Sequence, residues 1–189
     1  MIVIGIDPGI TGAIALIKDG KFQAVWDMPT QAKGKPTRKR NKRTGLMVTR
    51  QKREINPWGL RDILKTSINS YGYHLLRYLF LEKVTGGAFG EDKAGQQRTQ
   101  GVTSAFSFGD SYGVIRGVCA EFFTEDEFIT VRPQDWKKFR GLNGQQKDVA
   151  RLSARVWYPE AAKFLERKKD IGRADALMIA DYGVSTCSQ

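Results

Sequence analysis

Histidine is almost missing from this chain. His74 is the only one in 189 residues. That excludes a multi-histidine zinc site and argues against Ser–His or Cys–His triads. Cysteine is nearly as scarce. Cys119 and Cys187 stand alone, which argues against a disulfide scaffold and fits a reducing, cytoplasmic compartment. No apolar run is long enough to span a bilayer, and the N-terminus lacks a basic-then-apolar signal pattern. Chemistry in this chain must therefore rest on carboxylates, lysines or a metal ion.

One segment lacks acid altogether. Between Gln31 and Arg53 stand Lys33, Lys35, Arg38, Lys39, Arg40, Lys42, Arg43, Arg50, Lys52 and Arg53, with no Asp or Glu. The net charge is +11, so these ten cations leave +1 for the rest. The segment is too polar to bury and reads either as a solvated, disordered loop or as a polyanion contact. The two are compatible, because a disordered arm can order on DNA.

What remains is a patterned α/β chain of one domain, residues 1–189, with a basic insertion at about 31–55. Ile2–Leu16, IVIGIDPGITGAIAL, reads as strand, tight turn and strand. Asp19-Gly20 marks a hairpin, so residues 2–27 form a three-stranded meander. Asn56-Pro57 predicts a helix start, and apolar spacing carries that helix to about Ser70. Tyr78–Val84 is a second buried strand. Gly86–Gly101, rich in Gly and Gln, reads as a mobile loop. A helix follows over Thr103–Phe123, with Gly109, Gly113 and Gly117 at a spacing that permits close helix approach. A short strand, Phe128–Val131, precedes a short helix from Pro133. Gln146–Trp157 is amphipathic, with Val149, Leu152 and Val156 on one face and Lys147, Arg151 and Arg155 on another. Arg173–Val184 is the last helix.

Carboxylates fall where these elements end. Asp7 closes the first strand, and a charge there is costly unless a cation meets it. Glu82 lies among apolar neighbours in YLFLEKV, and Asp175 falls in the first turn of the last helix, with Asp170 just before it. Each has an ordinary alternative: Asp7 capping its turn, Glu82 paired with Lys83, Asp175 favoured by the helix dipole. Together they suit Mg²⁺ or Mn²⁺, which prefer oxygen ligands and in pairs promote phosphodiester hydrolysis.

The segments GIDPGITGAIAL, YLFLEKV, GQQKDVARLSARVWYP and GRADALMIADYG, in that order, resemble RuvC-type Holliday junction resolvases of the phage-like branch. The resemblance covers most of the chain outside 28–56. It implies a ribonuclease H-like mixed five-stranded sheet flanked by helices. It also implies a homodimer in a bacterial or phage-infected cell, nicking opposing strands of a four-way DNA junction to leave 5′-phosphate and 3′-hydroxyl ends. Two Mg²⁺ per site are implied, with Mn²⁺ as substitute and no small-molecule cofactor. Asp7, Glu82 and Asp175 then match metal-binding acids, and Lys147 matches a lysine near the scissile phosphate.

Two departures stand out. The family's fourth acid or histidine lies three or four residues before the equivalent of Asp175; here Gly172 and Ile171 stand there, and Asp170 reaches the cluster only if its loop bulges. An aromatic wedge three residues after the strand glutamate is replaced by Thr85, leaving Phe89 to stack at the junction centre. Lys93, Arg98, Arg151 and Arg155 join the basic segment as candidate DNA contacts, with the segment gripping duplex arms through phosphates. Rival readings are a flap, branch or RNA-processing nuclease of the same fold, an actin-like ATPase whose phosphate loop DPGIT resembles, and a non-catalytic nucleic-acid-binding protein.

Overall fold

The computed structural model describes residues 1–72, 75–84, 88–91, 97–99 and 101–188. In chain order its elements are β1 (Ile2–Asp7), β2 (Ala13–Lys18), β3 (Lys21–Asp27), β4 (Thr30–Arg40), β5 (Met47–Ile55), α1 (Pro57–Asn69), β6 (Arg77–Glu82), β7 (Ala88–Glu91), β8 (Gln97–Thr99), α2 (Val102–Cys119), β9 (Phe128–Val131), α3 (Pro133–Phe139), α4 (Lys147–Trp157) and α5 (Ile171–Cys187).

Five strands form one mixed sheet in the order β3-β2-β1-β6-β9, with β1 antiparallel to β2 and parallel to β6. The meander turns where Asp19 and Gly20 both adopt positive φ, 48° and 75°, as a two-residue hairpin requires. Alternation along β1 splits the core in two. Ile2, Ile4 and Ile6 point to α1 and α2, packing with Leu60, Leu64 and Ile115. Val3 points the other way, with Phe80, toward Leu177 and Ile179 of α5. Gly5 lies on that second face, where a Cβ would collide with the Ala176 carbonyl. The helix thus packs directly on the backbone of the central strand.

The basic segment is ordered in a way its composition does not suggest. It forms an antiparallel ribbon, β4–β5, that pairs with itself and lies outside the main sheet. Its side chains are almost all exposed, so backbone pairing and turn chemistry hold it rather than a core. At the tip, Asn41 Oδ1 accepts from the backbone N–H of Arg43 at 2.9 Å and of Thr44 at 3.3 Å, and Gly45 takes φ 71°. At the foot, Met28 and Ile55 are buried against the sheet. Lys33 Nζ bridges Glu54 at 3.3 Å and Asp110 of α2 at 3.4 Å.

The stretch read as a mobile loop also differs. β7 and β8 pair antiparallel, with Ala88 opposite Thr99; Phe89 and Thr99 supply strand propensity among the glycines. The expectation at Thr85 and the candidate contact Lys93 lie outside the described residues. Phe89 and Arg98 are strand positions whose side chains lie outside them.

Helix α4 is turned relative to its hydrophobic pattern. Its small residues Ala150 and Ala154 are buried, while Leu152 is 48% and Val156 74% exposed. Arg151, a candidate DNA contact, is buried instead. Its guanidinium pairs with Asp148 at 2.7 Å and donates to the carbonyl oxygens of Leu165 at 2.7 Å and Glu166 at 3.1 Å. Those carbonyls lie beyond the helix end and need a donor, which Arg151 supplies from inside. Arg155 stays on the half-exposed side. A second buried network joins three helical segments: Asp181 of α5 accepts from Arg140 Nε at 2.6 Å and from the Tyr158 hydroxyl at 2.6 Å.

Candidate active site

Asp7 is the last residue of β1 and Glu82 the last of β6. The strands are parallel neighbours, with Ile6 opposite Leu81, so both carboxylates leave the same edge of the sheet. Both side chains fall on the face that α5 covers, because their strand neighbours Ile6 and Leu81 belong to the other face.

Helix α5 brings the third acid. It begins at Ile171, earlier than the apolar spacing predicts, so Asp175 sits just past the first turn. The close approach depends on Gly172. A Cβ there would meet the Thr11 carbonyl and would lie 3.2 Å from Asp7 Oδ2. No side chain fits at 172, which accounts physically for the missing fourth acid at that position. Arg173 fixes the helix start from the other side, donating to both oxygens of Asp27 at the end of β3, at 2.6 and 2.7 Å.

Asp7, Glu82 and Asp175 line one cavity of about 760 Å³, and Lys137, Lys168 and Lys169 line it with them. Glu82 accepts a hydrogen bond from Trp136 Nε1 at 2.8 Å. Burial raises the pKa of Glu82; the indole donor and the nearby Lys137 oppose that rise without cancelling it. Trp136, Lys137, Lys168 and Lys169 are site residues that the sequence did not single out. The one available signal was a tryptophan in a polar helix, which carries no information about its partner.

Asp170 does not line the cavity. It is 4% exposed and held by Arg167, whose backbone N–H donates at 2.8 Å and whose Nη2 donates at 2.7 Å. Burial pushes its pKa up, but these donors outweigh burial and hold it below the ordinary carboxylate value. Lys147 is the first residue of α4; its side chain lies outside the described residues. Glu82 has no ion pair with Lys83 among the described residues.

The donor chemistry of the three cavity acids suits a hard divalent cation, since it is all oxygen. Among the described residues, no three His, Cys, Asp or Glu side chains close into a metal-holding group. The acids therefore share a cavity rather than a finished cage. Among the described residues, no helix is long and apolar enough to cross a membrane.

The mixed five-stranded sheet with helices on both faces is a ribonuclease H-like fold. Within that class the fold is that of RuvC: the whole chain aligns with 96% of a chain described as Thermus thermophilus RuvC structure, at TM-score 0.51 and 17% identity. In sequence, 172 residues are 28% identical to the Holliday junction resolvase MOC1, chloroplastic, of Chlamydomonas reinhardtii. That match takes in 86% of this chain and 17% of the relative's length. No family model matches the chain. The resemblance to RuvC-type resolvases seen in the motifs is thus present in both comparisons.

Proposed function

We propose that this protein is a divalent-metal-dependent endonuclease that resolves four-way DNA junctions by paired nicks. The observation that carries the reading is the convergence of Asp7, Glu82 and Asp175, from three distant parts of the chain, on one lysine-rimmed cavity. Both relatives support it, since MOC1 is named a Holliday junction resolvase and the structural neighbour is RuvC.

Asp7, Glu82 and Asp175 would hold the metal. When bound, Mg²⁺ or Mn²⁺ supplies activation of water and stabilisation of the leaving oxygen. The chain's own residues do the rest. Trp136 holds the Glu82 carboxylate in one orientation through its indole N–H. Lys137, Lys168 and Lys169 attract the phosphate and steady charge that develops on it. Gly172 lets α5 present Asp175 beside the β1 turn. Asp170, clamped by Arg167, sets the chain direction into α5. Lys147 enters the reading from its family position, at the start of the helix beside Gln145 and Gln146 of the cavity wall.

Paired nicks need two copies, because the chain carries one such acid cavity among its described residues. Helix α2 offers a face for the second copy. Val102 and Phe106 are 86% and 75% exposed, and around Gly109, Gly113 and Gly117 a Cβ would meet only open space. Small residues in a row let two helices approach closely. The ribbon β4–β5 would grip duplex arms through phosphates, giving affinity without base readout.

The test is Asp7→Asn, assayed on four-way, flap and hybrid substrates. The variant is expected to bind the four-way junction as the wild type does and to leave it uncut. Unchanged cutting would remove Asp7 from the site, and wild-type preference for flaps or hybrids would move the reading to another nuclease of the same fold.

A further inference from the structure

Outside its buried foot, the ribbon keeps its apolar residues at one end. Between Gln31 and Arg53 its large aliphatic side chains are Leu46, Met47 and Val48, consecutive, where the chain leaves the turn into β5. Leu46 and Met47 are each more than half exposed. A single exposed leucine is ordinary. Two apolar neighbours at the far end of a cationic ribbon, where no core can cover them, ask for a partner.

The turn beneath them is well tied. The Leu46 carbonyl accepts from the Asn41 N–H at 2.8 Å, and the Asn41 carbonyl accepts from the Gly45 N–H at 2.8 Å. Arg40 Nε donates to the Gly45 carbonyl at 2.8 Å. With the Asn41 side-chain bonds, these hold the backbone that leads into Leu46, so the pair is presented with little further ordering cost. Cations surround it. Arg40 stands opposite Met47 and Lys39 opposite Val48, and Lys42 and Arg43 are exposed in the turn itself.

Cations beside aliphatic groups suit a surface that is anionic outside and apolar inside. Duplex DNA and an anionic bilayer both qualify, and the length of the ribbon separates them. Strand β4 runs for 11 residues, on the order of 30 Å, and cations stand along both strands as far as Arg53 near the foot. A bilayer would meet only the tip, whereas a duplex can meet cations along the whole length. Aliphatic side chains cannot hydrogen-bond base edges. They fit between stacked base pairs, where such wedges enter from the minor groove and kink the duplex.

We propose that Leu46 and Met47 form a wedge that opens one base step of a duplex arm from its minor groove, with Arg40, Lys42 and Arg43 on the flanking phosphates. This rests on the reading of the ribbon as a phosphate grip and is independent of the acid cavity. The ribbon then selects DNA by deformability as well as by charge, favouring steps that unstack easily.

The experiment binds full-length Asp7→Asn protein, at low salt, to a short duplex carrying a dye at each end. Energy transfer should report a bend of at least about 20°. Adding Leu46→Ser and Met47→Ser, which keeps every cation, should leave the salt slope of binding unchanged and abolish the bend. Adding Leu46→Met and Met47→Leu instead, which keeps the tip apolar, should preserve it. A straight duplex under the unaltered ribbon, or a bend that survives the serine pair, would overturn the wedge while the salt slope leaves the phosphate grip standing. A flat salt slope, or no binding of duplex, would strike the grip and the wedge with it. Binding to anionic vesicles that the serine pair abolishes, with no bend in DNA, would give the tip to a lipid surface.

Discussion

The meander β1–β3 and the ribbon β4–β5 are both antiparallel, yet different forces hold them. In the meander, β1 and β2 are buried on both faces, and their hydrophobic residues contact helices above and below. In the ribbon nearly every side chain is exposed, and ten of the chain's cations stand on it. Burial of apolar surface stabilises the first, at roughly 25 cal/mol per Å². The second has backbone pairing, an Asn41 turn and an anchored foot, while its cations repel one another. The comparison teaches that charge and structure are separated here. The near-neutral body carries the acids, and the ribbon carries the surplus cations.

The largest expected effect tests the body. Asp175→Asn should lower the rate of junction cutting about a thousandfold or more, while junction affinity, measured by gel shift, changes little. A parallel loss of affinity would mean that the acids and the ribbon are not separate devices. Next is the network under α5. Asp181→Asn leaves the Arg140 guanidinium and the Tyr158 hydroxyl facing a neutral amide, and should destabilise the fold by about 3 kcal/mol in urea melts. An unchanged midpoint would show that α5 is held by its apolar contacts alone.

Deleting residues 33–53 tests the ribbon without the acids. Junction affinity should fall roughly a hundredfold, and the slope of log affinity against log salt should flatten by several units. The melting temperature of the body should hardly move. An unchanged salt slope would show that the ribbon does not touch phosphate.

The smallest effect concerns Asp170. Its folded pKa lies below the ordinary value of 3.8, so its stabilising contribution is present above about pH 4 and is lost as pH falls through the folded value. Because Arg167 is half exposed, Asp170→Asn should cost only about 1 kcal/mol at pH 7. That difference from wild type should shrink as pH falls below about 4 and through the folded pKa. A difference that stays constant with pH would mean that the carboxylate's charge is not what Arg167 holds.

Much of the fold could be read locally. Asp19-Gly20 specified its hairpin, and Asn56 with Pro57 specified the start of α1, where Asn56 Oδ1 accepts from the N–H groups of Trp58 and Gly59. Each is a short-range signal, complete within a few residues. The strand-ending acids Asp7 and Glu82 were legible for the same reason, since a carboxylate closing an apolar strand stands out against its neighbours. Other features were not legible. The stripe Val149, Leu152 and Val156 looks like a core face, and Val149 does pack on the core, yet Leu152 and Val156 stay exposed while the small residues Ala150 and Ala154 are buried. Arg151 looks like a surface cation until the carbonyls of Leu165 and Glu166 are placed beside it. Asp170 looks like a fourth member of the acid cluster until Arg167 closes on it.

By itself, then, the sequence determined the order of the main-sheet strands and the helices, the separation of a basic segment from a near-neutral body, and the acids Asp7 and Glu82 that close two strands. Periodicity, turn residues and charge act over a few neighbours. Only the tertiary structure decided that the basic segment pairs with itself, that Trp136 meets Glu82, and that Gly172 admits α5 to the β1 turn. Those outcomes depend on backbone groups and side chains far apart in the chain, whose need for a partner or for empty space exists only once they are brought together.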